Sequence, residues 1–589
     1  MWYKNWREEI WENIDQEWDL IVVGGGITGA GVFREASRLA LRVLLVEQRD
    51  FAWGTSSRSS KLVHGGLRYL KEGKLSLTRD SVREREQLLK EAPGLVEPLH
   101  FLLATYDGDS PGRLTFGAGL TIYDLLAMRW SHRYYSAQDF RLMAGQLSAE
   151  GLEGGYRYGD AQTDDARLVL RLIREGVADG GQAINYVKAD SVLRGESGKI
   201  DGLRLKDLES DQVADVVAPI IVNATGAWAD RLRGQIGADP KIRPLRGSHL
   251  IFPSRSLPVA QAVSFLHPVD ERPVFLFPWE GVTLVGTTDV DYDQSLDQEP
   301  SITPAEVAYL MAAVNARFPL LDITLDDVIT TFAGVRPVIG SGKENPSDES
   351  RDHVIWLEDG LLTVTGGKLT TFRIVAHEVL AKVRQTDPTF PRPNKHAPLL
   401  DRVEFDLSTT CEKLSAKTMR RLAGRYGSDI NELLSAACAD ELTTISGTSI
   451  LWAELRWAAR AEGVVHLDDL LLRRVRLGLL VKNGGQEHFP RIRTICQEEL
   501  GWDNSRWEQE QRVYLALWNR CYNLPDRSKI PDWKLILQEA KQKQATSHEQ
   551  HTNDESYNRR LRLALILAGL TVILTLLVAR WRRQPAEEN

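Results

Sequence analysis

The sequence predicts an α/β protein with a Rossmann-like nucleotide-binding domain, a helical C-terminal domain and a single C-terminal transmembrane helix. Three observations support this fold class. An apolar strand, a glycine-rich turn, a helix and a second strand follow one another within residues 19–47. Helical periodicity dominates from about residue 405 to 540, and an uncharged apolar run occupies residues 563–579.

Length and composition indicate a folded, multi-unit protein. The 589 residues suffice for two or more globular units, and 43% hydrophobic with 26% charged residues is not the composition of a disordered chain. The net charge of −8 and the scattered basic residues argue against nucleic-acid binding. Because no CxxC pair occurs, we expect no iron–sulfur, structural zinc or other metal site. The cysteines are Cys411, Cys438, Cys496 and Cys521.

Residues 1–18 are predicted to form an amphipathic helix. Trp2, Trp6, Ile10 and Ile14 recur at helical spacing and make one apolar stripe. The opposite face is acidic, whereas a helix that binds a membrane surface normally carries Lys and Arg there. We therefore expect the stripe to pack on the body of the protein.

The glycine-rich turn has the features of a dinucleotide site. Gly24 permits the tight turn, Gly26 lets the backbone approach a pyrophosphate, and Gly29 lets the helix pack closely on the strand. The pyrophosphate then lies at the positive N-terminus of the helix, and Glu47 can accept hydrogen bonds from the ribose. The motif does not distinguish FAD from NAD. The predicted nucleotide-binding residues in this segment are Gly24, Gly25, Gly26, Thr28, Gly29 and Glu47.

The segments that follow resemble one known family. After a dense hydroxyl run at residues 54–60 comes the sequence HGGLRY (64–69), and further motifs follow at wide intervals. Together they are similar to the FAD-dependent glycerol-3-phosphate dehydrogenases, which are aerobic, membrane-associated members of the D-amino-acid-oxidase-like flavoproteins. The resemblance covers about residues 17–525. Its motifs are FAWGTSSRSSKLVHGGLRYL (51–70), YGDAQTDDARLVL (158–170), IVNATGAWADRL (221–232), RPLRGSHLIFP (243–253), GTTD (286–289), AGVRPVIG (333–340) and TGGKLTTFR (365–373).

The resemblance implies FAD as the cofactor and sets the expected domains. Residues 19–395 would form a discontinuous FAD-binding and substrate domain, with a mixed sheet over the flavin. Clustered prolines at 388–398 separate it from a helical C-terminal domain at 400–540. The chain departs from the family at Trp53, where a small residue is usual, and in its terminal apolar run.

Three segments are expected to hold the cofactor. The loop after the second strand is rich in hydroxyls and backbone amides, which suit a pyrophosphate. A strand ending in Ala-Thr-Gly lets the backbone approach an adenine dinucleotide, as it does in the family. The helix after Gly366 would point its N-terminus at the flavin ring, where negative charge develops. The residues concerned are Thr55, Ser56, Ser57, Ser59, Lys61, Ala224, Gly226, Gly366, Lys368 and Leu369.

The resemblance also implies sn-glycerol 3-phosphate as the substrate, oxidised to dihydroxyacetone phosphate by hydride transfer to the flavin. The phosphate requires permanent cations. The C2 hydroxyl proton requires a base, and His64 and His249 both suit that role. Arg336 is an alternative catalytic group, since it would lower the pKa of the substrate hydroxyl. The candidate substrate ligands are Arg68, Tyr69, Arg336 and Lys368.

The C-terminus is predicted to reach a lipid bilayer. Residues 541–560 would form a polar linker and residues 561–581 a transmembrane anchor. Because the N-terminus carries no export signal, we expect the catalytic domain on the cytoplasmic face. A membrane quinone is then the expected electron acceptor. A homodimer is compatible with the sequence, which does not fix the oligomeric state.

Three alternatives stay open. A glycerol-3-phosphate oxidase would share the fold, cofactor and substrate but use oxygen, which requires no membrane anchor. A flavin-dependent amine or amino-acid oxidase would also use an arginine clamp, although a second cation favours a phosphate. A non-catalytic flavin-binding membrane sensor would not need His64, Arg68, Arg336 and Lys368, all of which are present.

Overall fold

The computed structural model describes residues 2–551, apart from 72, 108, 110–111, 344–348, 350–351 and 404–413. Its strands are β1 (Leu20–Val23), β2 (Val43–Val46), β3 (Leu62–Val63), β4 (Val96–Tyr106), β5 (Arg133–Ser136), β6 (Leu152–Thr163), β7 (Gln182–Ile184), β8 (Val187–Arg194), β9 (Ile200–Asp207), β10 (Val213–Val217), β11 (Ile221–Asn223), β12 (Ile242–Pro253), β13 (Ala262–Leu266), β14 (Pro273–Trp279), β15 (Val282–Gly286), β16 (Val290–Asp291), β17 (Thr330–Ile339), β18 (Val354–Glu358) and β19 (Leu361–Thr365). Its α-helices are α1 (Trp6–Trp11), α2 (Ile27–Ser37), α3 (Leu67–Lys71), α4 (Leu75–Glu91), α5 (Arg113–Ala127), α6 (Ala137–Met143), α7 (Asp165–Ala178), α8 (Ala229–Gln235), α9 (Pro304–Arg317), α10 (Phe372–Thr386), α11 (Ala416–Tyr426), α12 (Ile430–Ala436), α13 (Trp452–Ala461), α14 (Leu477–Leu480), α15 (Phe489–Leu500), α16 (Asn504–Cys521) and α17 (Trp533–His551).

A largely parallel sheet forms the nucleotide-binding domain, in the order β18-β19-β11-β1-β2-β7. Every residue of β1 and of β2 is buried. Continuous apolar strands of this kind are typical of a parallel sheet covered on both faces. Helices α2, α7 and α10 pack on one face, and the three-stranded sheet β10-β9-β8 packs on the other. The predicted α/β nucleotide domain is therefore present.

A second sheet, of ten strands, is mixed, as the resemblance implied. β13 pairs with β4 in parallel, whereas β13–β14 and β4–β6 are antiparallel. β12 and β17 are antiparallel neighbours, with Leu245 opposite Arg336 and His249 opposite Phe332. Two predicted catalytic residues thus lie on adjacent strands.

Helices α11 to α16 form a helical region that packs on the mixed sheet. Leu470, Trp507 and Tyr514 belong to the same buried cluster as Phe277 and Trp279, so one apolar core joins the two parts. The predicted helical character of this region is confirmed. Its packing against the sheet means that it is not an independent appendage.

The N-terminal helix is shorter than predicted, although its apolar stripe packs as expected. α1 spans only Trp6–Trp11, because Asn5 before it has a left-handed backbone with φ of 68°. Trp2 and Ile14 are buried, and the indole N–H of Trp2 donates to the carbonyl of Ala183 at 3.0 Å. The segment is therefore attached to the body of the protein.

Buried ion pairs join the helical region to the loop after β2. Asp50 accepts hydrogen bonds from Arg473 at 2.5 Å and from Arg474 at 2.6 Å. Burial alone would raise the pKa of Asp50, but Arg474 and Arg473 together hold it below its ordinary value. Asp165 likewise lies between Lys61, at 2.9 Å, and Arg476, at 2.5 Å. Charges distant in sequence therefore fix this loop.

The fold class expected from the sequence requires one correction. Among the described residues, no helix is both long and apolar enough to cross a membrane. The long helices α16 and α17 carry charged residues along their length, and α17 continues into residues 541–551 of the predicted linker. The remainder of that linker and the predicted anchor, 561–581, lie outside the described residues. The expected localisation, with a single-pass anchor and the catalytic domain on the cytoplasmic face of a membrane, is corrected accordingly, since the described part of the fold contains no helix that could serve as that anchor.

Replacement of Arg474 by Met should destabilise the protein, because it leaves the buried Asp50 with one cation fewer. We expect the free energy of unfolding to fall by about 3 kcal/mol. Arg204→Met is the matched control, since the Arg204–Asp215 pair is exposed and should contribute little. Urea unfolding followed by tryptophan fluorescence measures both variants. If both substitutions lowered the free energy of unfolding equally, the buried ion pairs would contribute no more to stability than the exposed pair.

Candidate active site

A cleft of about 300 Å³ opens at the carboxyl ends of β1, β11 and β19, beside the N-terminus of α2. Ligands of open α/β sheets bind at this edge. The predicted cofactor residues that line the cleft are Gly24, Gly26, Thr28, Glu47, Thr55, Ser56, Ser59, Ala224, Gly226, Gly366, Lys368 and Leu369. Gly25, Gly29, Ser57 and Lys61 do not belong to its lining.

The glycine-rich turn is built by close backbone approaches. Gly24 has φ of +112°, and a Cβ on it would lie 2.6 Å from the carbonyl oxygen of Ala224. A Cβ on Gly29 would lie 1.9 Å from the carbonyl oxygen of Gly24. On Gly26 it would meet only the Ser56 hydroxyl, at 3.1 Å. Gly24 and Gly29 therefore allow the close backbone approaches of the strands and the helix, while Gly26 keeps the cleft open.

Glu47 closes the cleft at the tip of β2. Its carboxylate accepts hydrogen bonds from the backbone N–H groups of Gly25, at 2.7 Å, and Arg49, at 2.9 Å. Burial raises the pKa of Glu47. The predicted ribose ligand thus also holds the turn, which explains the part played by Gly25.

Two residues predicted to bind the cofactor, Lys61 and Ser57, form side-chain contacts within the protein that stabilise the loop after β2. Lys61 is buried, and its ammonium donates to Asp165 and to the carbonyl of Ser57, both at 2.9 Å. Burial and the neighbouring Arg476 lower the pKa of Lys61 to about 8. The Ser57 hydroxyl is directed at the carbonyl of Trp53. The side chains of Lys61 and Ser57 thus contact protein groups, and their role as cofactor ligands stays a prediction.

Two tryptophans form part of the cleft wall. Trp53 and Trp228 both line the cleft, with ring centres 5.8 Å apart. The guanidinium groups of Arg49 and Arg58 lie 5.4 and 4.8 Å from the Trp53 ring. Trp53, the departure from the family pattern, is therefore held as a fixed wall. Trp228 was not predicted to take part in the site, because nothing in its local pattern distinguishes it from a core tryptophan.

Arg336 lies on β17 beside Pro337 and is oriented by two residues of the GTTD motif. Its guanidinium passes over Gly247, donates to Asp289 at 3.1 Å and donates to the Thr287 hydroxyl at 3.0 Å. The side chain is 20% exposed, and the next residue, Pro337, lines the cleft. Asp289 and Thr287 were not predicted individually, since only the fold brings them to Arg336.

His249 is buried beside Arg336. Its Nε2 lies 2.9 Å from the Ser60 hydroxyl, its ring stacks on Phe332, and its Nδ1 has no hydrogen-bond partner within the described part of the chain. Burial lowers the pKa of His249 well below its ordinary value, and Arg336 and Lys61 add to this effect. The imidazole is therefore neutral near pH 7.

A second group of side chains surrounds Lys368. Its ammonium donates to the Ser81 hydroxyl at 3.1 Å and lies 3.5 Å from the centre of the Tyr69 ring. Lys368 also lines the cleft, whereas Tyr69 does not belong to its lining. Ser81 lies outside every motif recognised in the sequence.

The HGGLRY segment runs beside this group. His64 is partly exposed, and its backbone N–H donates to the Thr370 hydroxyl at 3.2 Å. The N–H of Gly65 donates to the Tyr123 hydroxyl at 2.8 Å. Arg68 lies on α3, but its side chain is outside the described part of the structure. The histidine is thus tied to the turn that carries Lys368.

Comparisons with known proteins agree with this geometry. The family profile "FAD dependent oxidoreductase" matches residues 19–373, and "C-terminal domain of alpha-glycerophosphate oxidase" matches residues 377–507. The aerobic glycerol-3-phosphate dehydrogenases of Staphylococcus haemolyticus and Staphylococcus aureus are each 34% identical over 493 residues, which cover 80% of this chain and 88% of theirs. This chain belongs to the FAD-dependent glycerol-3-phosphate dehydrogenase family.

Solved structures extend the likeness of this family member to the fold. Glycerol-3-phosphate dehydrogenase from Bacillus halodurans, complexed with FAD, superimposes with a TM-score of 0.70 at 28% identity, over 88% of this chain and 98% of that one. L-alpha-glycerophosphate oxidase from Mycoplasma pneumoniae gives 0.54 at 17% identity, over 66% of this chain and 100% of that one. The second likeness concerns the fold alone.

FAD is the cofactor of this family, and the cleft fits it. Gly26 and the N-terminus of α2, where the Ser56 hydroxyl accepts the Ile27 N–H at 2.9 Å, form a cradle for a diphosphate. Glu47 lies at the sheet edge where a ribose is expected. The indole N–H of Trp228 is buried in the cleft wall without a partner among the described residues, which suits an acceptor atom of the cofactor.

Gly29→Ala should abolish flavin retention, because the new Cβ cannot coexist with the carbonyl of Gly24. Forcing helix and strand apart should weaken FAD binding by at least about tenfold. Gly234→Ala on α8 is the control, since its Cβ would meet nothing within 4 Å. The visible flavin absorbance of the purified proteins, and FAD titration of the apoproteins, give the answer. Retention of flavin by the Gly29 variant would refute this account of the turn.

Proposed function

We propose that this protein oxidises sn-glycerol 3-phosphate to dihydroxyacetone phosphate with FAD and passes the electrons to a quinone. The observation that carries the proposal is that one cation, Lys368, lines the FAD cleft, and a second, Arg336, precedes the lining residue Pro337 on β17. The relatives at 34% identity are dehydrogenases for this substrate, which carries a phosphate dianion. A permanently charged arginine and a flexible lysine together suit a phosphate dianion.

In this proposal, Arg336 and Lys368 bind the substrate phosphate from two elements. Arg336 extends from β17, and Lys368 from the turn before α10. Asp289, which is also paired with Arg272 at 3.2 Å, fixes the plane of the Arg336 guanidinium. One carboxylate between two arginines leaves these three groups with a net positive charge. Substrate binding therefore does not require Arg336 to leave its partner.

FAD, when bound, supplies the group that accepts a hydride from C2 of the substrate. The protein must take the C2 hydroxyl proton, and His64 is proposed as the base. His249 is less suited to keep a proton, because burial and Arg336 both disfavour its imidazolium form. Its contact with Ser60 instead provides a neutral hydrogen-bonding group beside the substrate.

A quinone is proposed as the acceptor because dehydrogenases, not oxidases, are the relatives that share 34% of their residues with this chain. The likeness to an oxidase at 17% identity concerns the fold alone. The four cysteines include no CxxC pair, so the sequence offers no iron–sulfur relay between the cofactor and a distant acceptor. The acceptor must therefore approach the cleft itself.

Anaerobic addition of sn-glycerol 3-phosphate to the purified protein should bleach the flavin absorbance. A water-soluble quinone should restore it faster than air-saturated buffer does, and dihydroxyacetone phosphate should accumulate in equal amount. Faster recovery in air would replace the quinone by oxygen as acceptor. A flavin that stays oxidised would refute the proposed substrate.

Arg336→Met should lower kcat/KM for sn-glycerol 3-phosphate about 100-fold, through lost phosphate binding. The flavin content should not change, because Asp289 keeps its pairing with Arg272. Arg272→Met is the control: it removes the other cation from the same carboxylate, but Arg272 lies in none of the family motifs and is not a proposed phosphate ligand. Steady-state kinetics with sn-glycerol 3-phosphate and with unphosphorylated glycerol would distinguish the two variants. If kcat/KM fell to a similar extent in both variants, the loss would come from the missing positive charge beside Asp289 and not from a phosphate contact of Arg336.

A further inference from the structure

Helix α4 carries two buried hydroxyl groups that are bonded in the same way to the backbone. The Thr78 hydroxyl donates to the carbonyl of Lys74 at 3.1 Å, and the Ser81 hydroxyl donates to the carbonyl of Leu77 at 2.7 Å. Both residues are fully buried. Ser81 makes a further contact, since its oxygen accepts a hydrogen bond from the Lys368 ammonium at 3.1 Å.

The carbonyl of Leu77 determines how the Ser81 hydroxyl meets the lysine. A hydroxyl has one proton, and here that proton is committed to the backbone. The oxygen therefore presents a lone pair to Lys368, with the orientation that an ammonium requires. The ammonium is also held over the Tyr69 ring, 3.5 Å from its centre, where a cation is attracted by the negative face.

Helix α4 is itself fixed to the two elements that frame the site. Glu84 pairs with Arg373, the residue at the start of α10, at 2.7 Å. Arg85 pairs with Asp160 of β6, also at 2.7 Å. Ser81 thus belongs to a helix whose position relative to the Lys368 turn is set by ion pairs. A hydroxyl group held in this way can fix the position of the ammonium of a flexible lysine side chain.

We propose that Ser81 is a positioning residue, which holds the Lys368 ammonium where it meets the substrate phosphate. The inference rests on the proposed function, because it takes Lys368 as a phosphate ligand. Without the Ser81 oxygen, the four-carbon lysine stem would sample other rotamers, and each substrate molecule would have to order it again. The loss therefore falls on substrate binding rather than on the rate of the bound complex.

Ser81→Ala should raise KM for sn-glycerol 3-phosphate about 5- to 20-fold and change kcat by less than about twofold. Ser81→Thr keeps the hydroxyl and should restore KM to near the wild-type value. Thr78→Val is the matched control, because it removes the equivalent hydroxyl from the same helix without a contact to Lys368. Binding of inorganic phosphate, followed by perturbation of the oxidised flavin spectrum, gives the same comparison without turnover.

A double-mutant cycle separates this inference from the function on which it rests. Lys368→Met should raise KM by at least as much as Ser81→Ala, and Ser81→Ala should add no further loss in that background. If Lys368→Met leaves KM unchanged, Lys368 is not a phosphate ligand, and both proposals fail at this residue. If Lys368→Met impairs binding while Ser81→Ala does not, or if Thr78→Val impairs binding equally, the positioning role of Ser81 alone is refuted.

Discussion

Asp50 and Asp165 are buried carboxylates, and such groups are tolerated only where cations and hydrogen bonds replace the water that they lose. Arg473 and Arg474 supply the cations for Asp50, and Arg476 supplies one for Asp165. All three arginines belong to the C-terminal helical region. The cofactor loop between the two carboxylates is therefore complete only when that region is packed on the nucleotide domain. Cofactor binding becomes a property of the whole fold rather than of the Rossmann-like part alone.

Other cations shape the chemistry of the site. Burial, with Arg336 and Lys61 adding to its effect, holds the pKa of His249 well below its ordinary value. Surroundings that suit a phosphate dianion are thus the surroundings that disfavour an imidazolium. The protein as a whole carries a net charge of −8, so the positive excess of Arg272, Arg336 and Asp289 arises from the placement of a few side chains. Asp289 limits the excess without cancelling it, because it lies between two arginines.

The parts of the site that were predictable from sequence are those whose contacts are local. Gly24 and Gly29 meet within one turn of the chain, so their spacing alone indicates their purpose. The contact of Lys61 with Asp165 was not predictable, because its partner lies 104 positions further along the chain. Asp289 and Ser81 were missed for the same reason, since only sheet pairing and helix packing bring them to Arg336 and Lys368. A pattern of residue types shows which groups are available, whereas the fold decides which of them face a ligand.

In the proposed function, the turn before α10 connects the cofactor site and the phosphate site through a single stretch of backbone. Gly366 and Gly367 have φ of +79° and +77°, and a Cβ on Gly366 would lie 2.6 Å from the carbonyl of Asp352. These two glycines let the chain reverse against a neighbouring backbone and deliver Lys368 to the cleft. The side chain of Lys368 then reaches Tyr69 and Ser81, on the substrate side. Because one residue borders both ligands, a shift of this turn moves the phosphate ligand and the cofactor wall together. Alignment of C2 with the flavin therefore depends on two glycines that contact neither the phosphate nor the reacting carbon in this proposal.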